Sequence, residues 1–589
     1  MERSEVKAEY KWSIEDIFPS EEAWEREYEK ISSKIDFSKW QGKLGTAENL
    51  LAFLKEQDEM EATFSKLYVY AMMKQNEDAR IPEGNVRLAK MGAFGAKFGA
   101  ALAFVEPELL SLPEETLQSF IDNPAFRDYD YQLKSLLKSK PHVLSEAEEK
   151  LLAMSSEVTG SFQDIFSMID NADLDLPEIE YKGETVRLTH GLYGKILGEE
   201  DRAKRKEVFE KYYGAYIKLK NTIAANYFAS VKASVFGAQA RNYASCLARA
   251  LEGNDVDPVV YQNLMDSVNE NVSVMHDYIN YRKEALGLEE QHMYDIFAPL
   301  VEGANLSMPY EEAYDLVVKA LSCLGEDYQE LLRRAKRERW LDVEETTAKR
   351  SGAYSINCHG VHPFVLLNYQ PTLNNIFTTA HEMGHALHSY FSEANQPISK
   401  ASYRIFVAEV ASTVNETLLL RYLLKTTTDK KIKKYLLNYH LDQMRSTLFR
   451  QTQFAMFEYE AHKMVEEGNP LTTQNLYDLY YGLNQKIYGD GIVHDTEIGY
   501  EWSRIPHFYR PFYVYQYSTG IISAISIANR ILGEGEPAVA DYKKFLSAGG
   551  SLPPVEILKL AGVDLTSKEP FRVAMQDFAD TLKALKELD

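Results

Sequence analysis

The sequence predicts a mainly α protein with one small β-sheet set beside a central helix. Three observations carry this prediction. Apolar residues recur at three- and four-residue spacing through most of the chain, as in 21–35, 146–168 and 201–237. Only two stretches, 176–188 and 351–369, break that period. The second of them runs directly into a helix that carries two histidines at helical spacing.

The elements follow in order. Ser145 and Glu148 have capping-box spacing and open the helical run that follows. Residues 176–188, LPEIEYKGETVRL, alternate around Lys182 and Gly183 and predict a β-hairpin. A domain boundary is placed just beyond it, giving an N-terminal helical domain of residues 1–195 and a second domain, 196–589, that carries the chemistry. Residues 353–356 and 363–369 are β-prone and flank a loop with Cys358, His359 and Gly360. A helix capped at Thr372 is expected to run to residue 390. Residues 405–420, IFVAEVASTVNETLLL, predict a strongly apolar helix.

Composition excludes several classes. Of the 589 residues, 45% are hydrophobic and 26% charged, an ordinary globular balance. A chain of this length buries a core without disulfides. The three cysteines, Cys246, Cys323 and Cys358, are far apart and show no CxxC spacing. That fits a reducing compartment, and the expected location is cytoplasmic. The start, MERSEVKAEYKWSIEDIF, has no secretory apolar stretch. No run of about 18 apolar residues predicts a membrane span. The nearest approach, 92–105, is rich in Ala and Gly and is expected to be a tightly packed helix. A net charge of −23 makes nucleic acid a poor partner. The basic clusters at 333–339 and 430–434 are expected to be solvated helix faces. No repeat, low-complexity segment or obligate protein partner is evident.

The long helix carries His381-Glu382-Met383-Gly384-His385, an HExxH motif. Residues i and i+4 share a helix face about 6 Å apart along the axis, so two imidazoles can converge on one metal ion. Glu382, one position on, can reach a water at that metal. The competing reading is coincidence, since this pattern arises by chance in roughly a few per cent of chains of this size. Apolar neighbours Met383, Ala386, Leu387 and Phe391 argue against coincidence, because polar groups in a buried helix need partners. His388 lies roughly 10 Å along the axis from His381 and is expected to pack or to support. A metzincin needs Gly and His where His388 and Phe391 stand, so that subclass is excluded. A third ligand then comes from another helix. Glu409 and Glu416, seven apart on the apolar 405–420 helix, are the candidates. A carboxylate there is costly unless a cation compensates it. The apolar neighbours of Glu409 predict its burial, whereas Glu416 could equally face solvent.

The motifs HEMGHALH, FVAEVASTVNE and IPHFYRPFYVYQYSTG, in this order, closely resemble the oligoendopeptidase F family, relatives of thimet oligopeptidase. KWSIEDIF, RSGAYS and FLSAGGSLPPVEILKLAGVD extend the resemblance over nearly the whole chain. It implies a two-lobed helical metallopeptidase with a deep substrate channel that cleaves internal bonds of short unstructured oligopeptides. It implies one Zn²⁺ per chain, with His381, His385 and Glu409 as metal ligands and Glu382 as general base. It further implies that His507, Tyr513 and Tyr517 stabilise the transition state. Tyr515 is a competing candidate, and Gly520 stands where a further tyrosine is expected. A tyrosine cluster alone would be read as aromatic packing. Two alternatives remain open at this level. One is a dipeptidyl carboxypeptidase-type exopeptidase, which needs a cationic anchor for the substrate C-terminus. The other is a non-catalytic peptide-binding protein with a vestigial metal site, which would have no need of Glu382.

Overall fold

The helical period becomes helix along most of the chain. The structure, a computed structural model, describes residues 1–199, 201–301 and 307–588. Ser145 and Glu148 form the expected capping box, each side chain accepting the other's backbone N–H. The run behind them is interrupted at Gly160, giving helices Glu146–Thr159 and Ser161–Met168. The fold is mainly α, with two small sheets among the described residues.

The chain divides into two compact units that interleave in sequence. One comprises Met1–Pro141, Asn305–Tyr422 and Ile527–Val563; the other comprises His142–Ala304, Leu423–Ser526 and Asp564–Asp589. The second unit contains the hairpin. Its strands, β1 (Glu178–Tyr181) and β2 (Glu184–Arg187), pair Tyr181 with Glu184 around the turn. Lys182 and Gly183 both take positive φ, 53° and 84°, as a two-residue hairpin turn requires.

The first unit contains the other sheet. Its strands are β3 (Leu341–Asp342), β4 (Tyr354–Ile356) and β5 (Phe364–Leu366), in the order β3-β5-β4. β5 pairs antiparallel with β4 and parallel with β3. It is buried throughout, and Phe364 and Leu366 join a core with Trp12, Trp24 and Phe53. β3 escapes the sequence pattern because two residues are too few to show alternation. The N-terminal segment is stitched alongside: Ser13 N–H donates to Arg339 O at 2.7 Å and Val343 N–H to Tyr10 O at 3.0 Å.

The Ala/Gly-rich stretch departs from expectation. Helix Pro82–Leu102 buries one face, Met91, Phe94 and Phe98, and Phe94 stacks on Phe64 of helix Ala47–Glu77 at 5.3 Å. Most small residues of 92–102 face outward instead of packing, and a Cβ at Gly92 or Gly99 would touch nothing within 4 Å, though one at Gly95 would meet Phe64 at 3.5 Å. The 30-residue span Pro82–Ser111 is apolar and long enough to cross a bilayer by composition. Arg87 and Lys90 within it are ion-paired to Glu21 and Glu25. The basic cluster at 333–339, expected as a solvated helix face, is charge-paired, with Arg334 on Glu338 and Lys336 on Glu311.

A buried ionic network fixes β3. Asp342 accepts from Lys349 Nζ at 2.7 Å and from Arg3 Nη2 at 2.7 Å, and the Lys349 side chain is 0% exposed. Arg3 also reaches Glu77, which accepts from Trp12 Nε1. The two cations hold the Asp342 carboxyl below its usual range against the opposing effect of burial. Asp342→Asn leaves Lys349 buried without its counter-ion, and is expected to cost about 3–5 kcal/mol in urea unfolding. Asp342→Leu combined with Lys349→Met should recover much of that loss.

Candidate metal centre

Helix Leu373–Asn395 starts where Thr372 accepts the Asn375 amide, at the predicted cap, and runs beyond residue 390. Its inner face meets helix Ile405–Thr426, and Gly384 is the point of closest approach. A Cβ there would lie 2.5 Å from Ser412 Cα and 2.7 Å from Ala411 O. One turn away, buried Asn415 donates to Ala380 O at 3.1 Å and accepts from Tyr328 OH at 3.0 Å. Neither contact was visible from spacing. Gly384 left a trace, since a glycine inside an apolar helix often marks close backbone approach. Asn415 left none.

This approach brings the predicted ligands together. His381 Nε2 lies 3.2 Å from His385 Nε2, and Glu409 Oε2 lies 3.3 Å and 3.5 Å from the two nitrogens. A small divalent ion bonded tetrahedrally at about 2.1 Å separates its ligand atoms by about 3.4 Å. The three edges match that spacing, so the donor set fits a metal ion. Two imidazole nitrogens facing one carboxylate oxygen are an arrangement that a shared cation stabilises.

The surroundings select the imidazole tautomer. His381 Nδ1–H donates to Glu416 Oε1 at 2.5 Å, which leaves Nε2 as the ring nitrogen available to an ion in the triangle. Glu416 is 13% exposed in its side chain, so it faces the imidazole and not solvent. Glu409 departs from expectation. Its apolar neighbours turn inward while its own side chain stays 41% exposed, opening the triangle on one side.

The electrostatics ask for positive charge. Burial opposes a charged His381, yet Glu409 and Glu416 hold its pKa up, at about 10. Burial opposes a charged Glu409, yet the two imidazoles hold it well below the carboxylate range. Glu382 differs. It is 7% exposed, and burial raises its pKa, with Glu409 and Glu416 adding to the rise and the imidazoles opposing it.

His388 lies away from the triangle. It is fully buried, stacks on Tyr403 at 3.8 Å, and neither ring nitrogen has a hydrogen bond to the described residues. Burial lowers its pKa to about 3, so it is neutral.

The remaining candidates belong to the second unit. His507, Tyr513 and Tyr517 form one cluster, with ring centroids 5.5–6.1 Å apart and Tyr517 OH 3.4 Å from His507 Nε2. Burial, then the charges of Arg510 and Arg450, lower the His507 pKa. Tyr515 is 0% exposed and packs edge-on against Tyr261 at 5.2 Å, while Tyr513 and Tyr517 are half-buried. Phe512, just before Tyr513, takes a left-handed φ of 56°.

Three substitutions test the geometry. Gly384→Ala forces the two helices apart against backbone atoms, and should cost about 1–3 kcal/mol of stability and weaken metal binding. Glu409→Ala removes one edge of the triangle and should release the metal in equilibrium dialysis. His388→Phe keeps the stack and loses no hydrogen bond, so it should retain metal and stay within about 1.5 kcal/mol of the parent.

Comparison with known proteins bears on this arrangement. Residues 196–577 match the family described as Peptidase family M3, and residues 108–175 match Oligopeptidase F. Oligopeptidase PepF of Bacillus subtilis is 44% identical over all of this chain and 88% of its own. The crystal structure of a putative peptidase from Chlamydophila abortus superposes with a TM-score of 0.94 at 35% identity, covering all of both chains. Oligoendopeptidase-F from Enterococcus faecium gives a TM-score of 0.74 at 34% identity over 96% of this chain and 98% of its own. The chain belongs to peptidase family M3, in its oligoendopeptidase F group, metallopeptidases that cut internal bonds of short peptides.

Proposed function

We propose that the metal is zinc, one ion per chain, held by His381, His385 and Glu409, and that Glu382 is the general base. The observation that carries this reading is the triangle of three donor atoms with edges of 3.2–3.5 Å. Two imidazoles and one carboxylate are a common donor set for catalytic zinc. When bound, zinc supplies Lewis acidity that activates a water and polarises the scissile carbonyl.

The chain's own groups do the rest. Glu416 fixes the His381 ring and its tautomer through Nδ1. Glu382, with its raised pKa, takes a proton from the attacking water as the C–O bond forms. It delivers that proton to the leaving nitrogen as the C–N bond breaks. His507, Tyr513 and Tyr517 are assigned as hydrogen-bond donors to the carbonyl oxygen as it gains charge. Their accessibility, against the burial of Tyr515, supports that choice among the tyrosines.

Substrate is held by backbone more than by side chains in this reading. β4 is an edge strand, paired on one side only among the described residues, and an extended peptide can add to it. Backbone pairing is blind to sequence and gives broad tolerance. All the assigned groups lie in residues 196–589, the part set apart as the catalytic domain. The cytoplasm is the proposed location, since Cys246, Cys323 and Cys358 are all free thiols. Nucleic acid and membrane have no part in the reading: the net charge is −23, and Arg87, Lys90 and Lys97 interrupt the apolar Pro82–Ser111 span.

Glu382→Gln is expected to keep zinc, measured by atomic absorption, and to lose more than about 95% of hydrolysis of a quenched peptide. Substantial turnover in the zinc-loaded variant would remove Glu382 from the role of base. The peptide preference has its own test. One cleavable sequence of roughly a dozen residues should be cut when free and resist when grafted into a stable carrier domain, which must unfold at about 5–15 kcal/mol to present it. Equal rates with the carrier folded would favour an open-cleft protease.

A further inference from the structure

The second unit holds a cavity of about 350 Å³ that the metal centre does not use. Its volume lies in the range of small-molecule sites. The walls are aromatic and the charged groups are mostly cationic. Arg445, Arg450 and Arg504 line it, together with a single carboxylate, Glu501.

The carboxylates are already committed. Glu501 Oε1 accepts from Arg504 Nη2 at 3.0 Å and from Arg450 Nη2, and Glu501 Oε2 accepts from Tyr480 OH at 2.5 Å. Asp442 accepts from Arg445 Nε at 3.1 Å and lies 3.7 Å from Nη1 of fully buried Arg282. Four guanidinium groups therefore share two carboxylates. Arg445 is 3% exposed, and its Nη1 has no hydrogen-bond partner among the described residues. A buried guanidinium nitrogen without an acceptor is costly, and the cavity offers space for one.

The backbone is arranged to make this constellation. Arg445–Phe449 is a π-helical turn set between helices Lys430–Met444 and Arg450–Glu466. In an uninterrupted α-helix, residues five apart point about 140° from one another. A π-turn absorbs one extra residue, so i+5 stands near the place of i+4, about 40° away. Arg445 and Arg450 thereby line the same cavity. Such turns are irregular and weaker than α-helix, and they are frequent at functional sites.

The remaining walls favour an apolar group. Tyr193 and Tyr212 stack at 3.9 Å, and Phe297, 42% exposed, lies under the Arg445 guanidinium at 4.9 Å.

We propose that this cavity binds a compact oxyanion, namely the C-terminal carboxylate of a short peptide whose last side chain rests on the aromatic wall. Guanidinium forks match a carboxylate in two-point geometry, and they match phosphate equally. The oligopeptidase activity supplies the peptide; free phosphate is the competing source. The inference uses that activity only to choose the occupant and stands apart from the assignments at the metal centre.

The test uses the full-length, metal-loaded chain with Glu382→Gln to prevent cleavage. A tripeptide ending in Phe, its C-terminal amide, and inorganic phosphate are titrated calorimetrically into this protein. The same titrations are repeated with Arg445→Gln and, separately, with Gly194→Glu. Gly194 lines the cavity on helix His190–Leu197, and a Cβ there meets nothing within 4 Å. The Gly194→Glu variant is thus expected to fold, with its new carboxylate occupying the guanidinium groups, which keeps the test valid should Arg445→Gln be unstable. The acid should bind at least tenfold tighter than the amide, and each substitution should weaken the acid at least tenfold while leaving the amide unchanged. Equal binding of acid and amide, or full acid binding in Gly194→Glu, overturns the site. Phosphate binding as tightly as the acid, and lost in the same variants, keeps the oxyanion site and overturns the peptide as its occupant.

Discussion

The close approach at Gly384 is the constraint on which the metal centre depends. Side chains are short, and a carboxylate from one helix reaches two imidazoles of another only if the backbones nearly touch. With no Cβ at 384, Ser412 and Ala411 sit against the HExxH helix. Glu409 and Glu416 flank that contact on either side in sequence, three residues before Ser412 and four after. One therefore meets the imidazoles at Nε2 and the other meets His381 at Nδ1. The Asn415 bond to Ala380 O locks the same crossing against rotation. The motif's fourth residue thus does structural work that its histidines and glutamate depend on.

Charge follows from that geometry. Bringing Glu382, Glu409 and Glu416 around two imidazoles in a poorly solvated place is unfavourable without a cation. The raised His381 and lowered Glu409 are two faces of the same demand. A dication meets it more fully than a proton, because it bonds three donors at once. Family M3 membership and the local electrostatics therefore lead to the same kind of occupant by separate routes.

Much of this was legible in the sequence, for identifiable reasons. HExxH and the paired glutamates announce themselves because helical spacing maps directly onto a shared face. The hairpin announces itself because Lys182–Gly183 interrupts strict alternation. Other features were illegible for equally physical reasons. β3 is two residues long. The exposure of Glu409 was misjudged because its apolar neighbours Val407 and Val410 turn inward while its own Cβ projects from another face of the helix. The outward face of the 92–105 stretch was misjudged because Ala and Gly are small enough to be tolerated in water as well as in a core. The π-turn at Arg445 has no periodic signature, since one inserted residue shifts the phase without changing composition.

Three glutamates of the metal centre show how environment, and not residue type, divides the labour. Glu409 is 41% exposed and is held anionic by two imidazoles, as the ligand role proposed for it requires. Glu416 is 13% exposed and is occupied by one N–H, which leaves it no free part in proton transfer. Glu382 is the most buried of the three, and its pKa moves in the opposite direction to that of Glu409. A base that must first accept a proton and then give it away works best when neither state is strongly preferred. Strong pairing would forbid that for Glu409, whereas at Glu382 burial and the imidazoles act in opposite directions, which suits the role proposed for it. The assignment of roles therefore rests on what surrounds each carboxylate, and the helix crossing at Gly384 creates all three surroundings together.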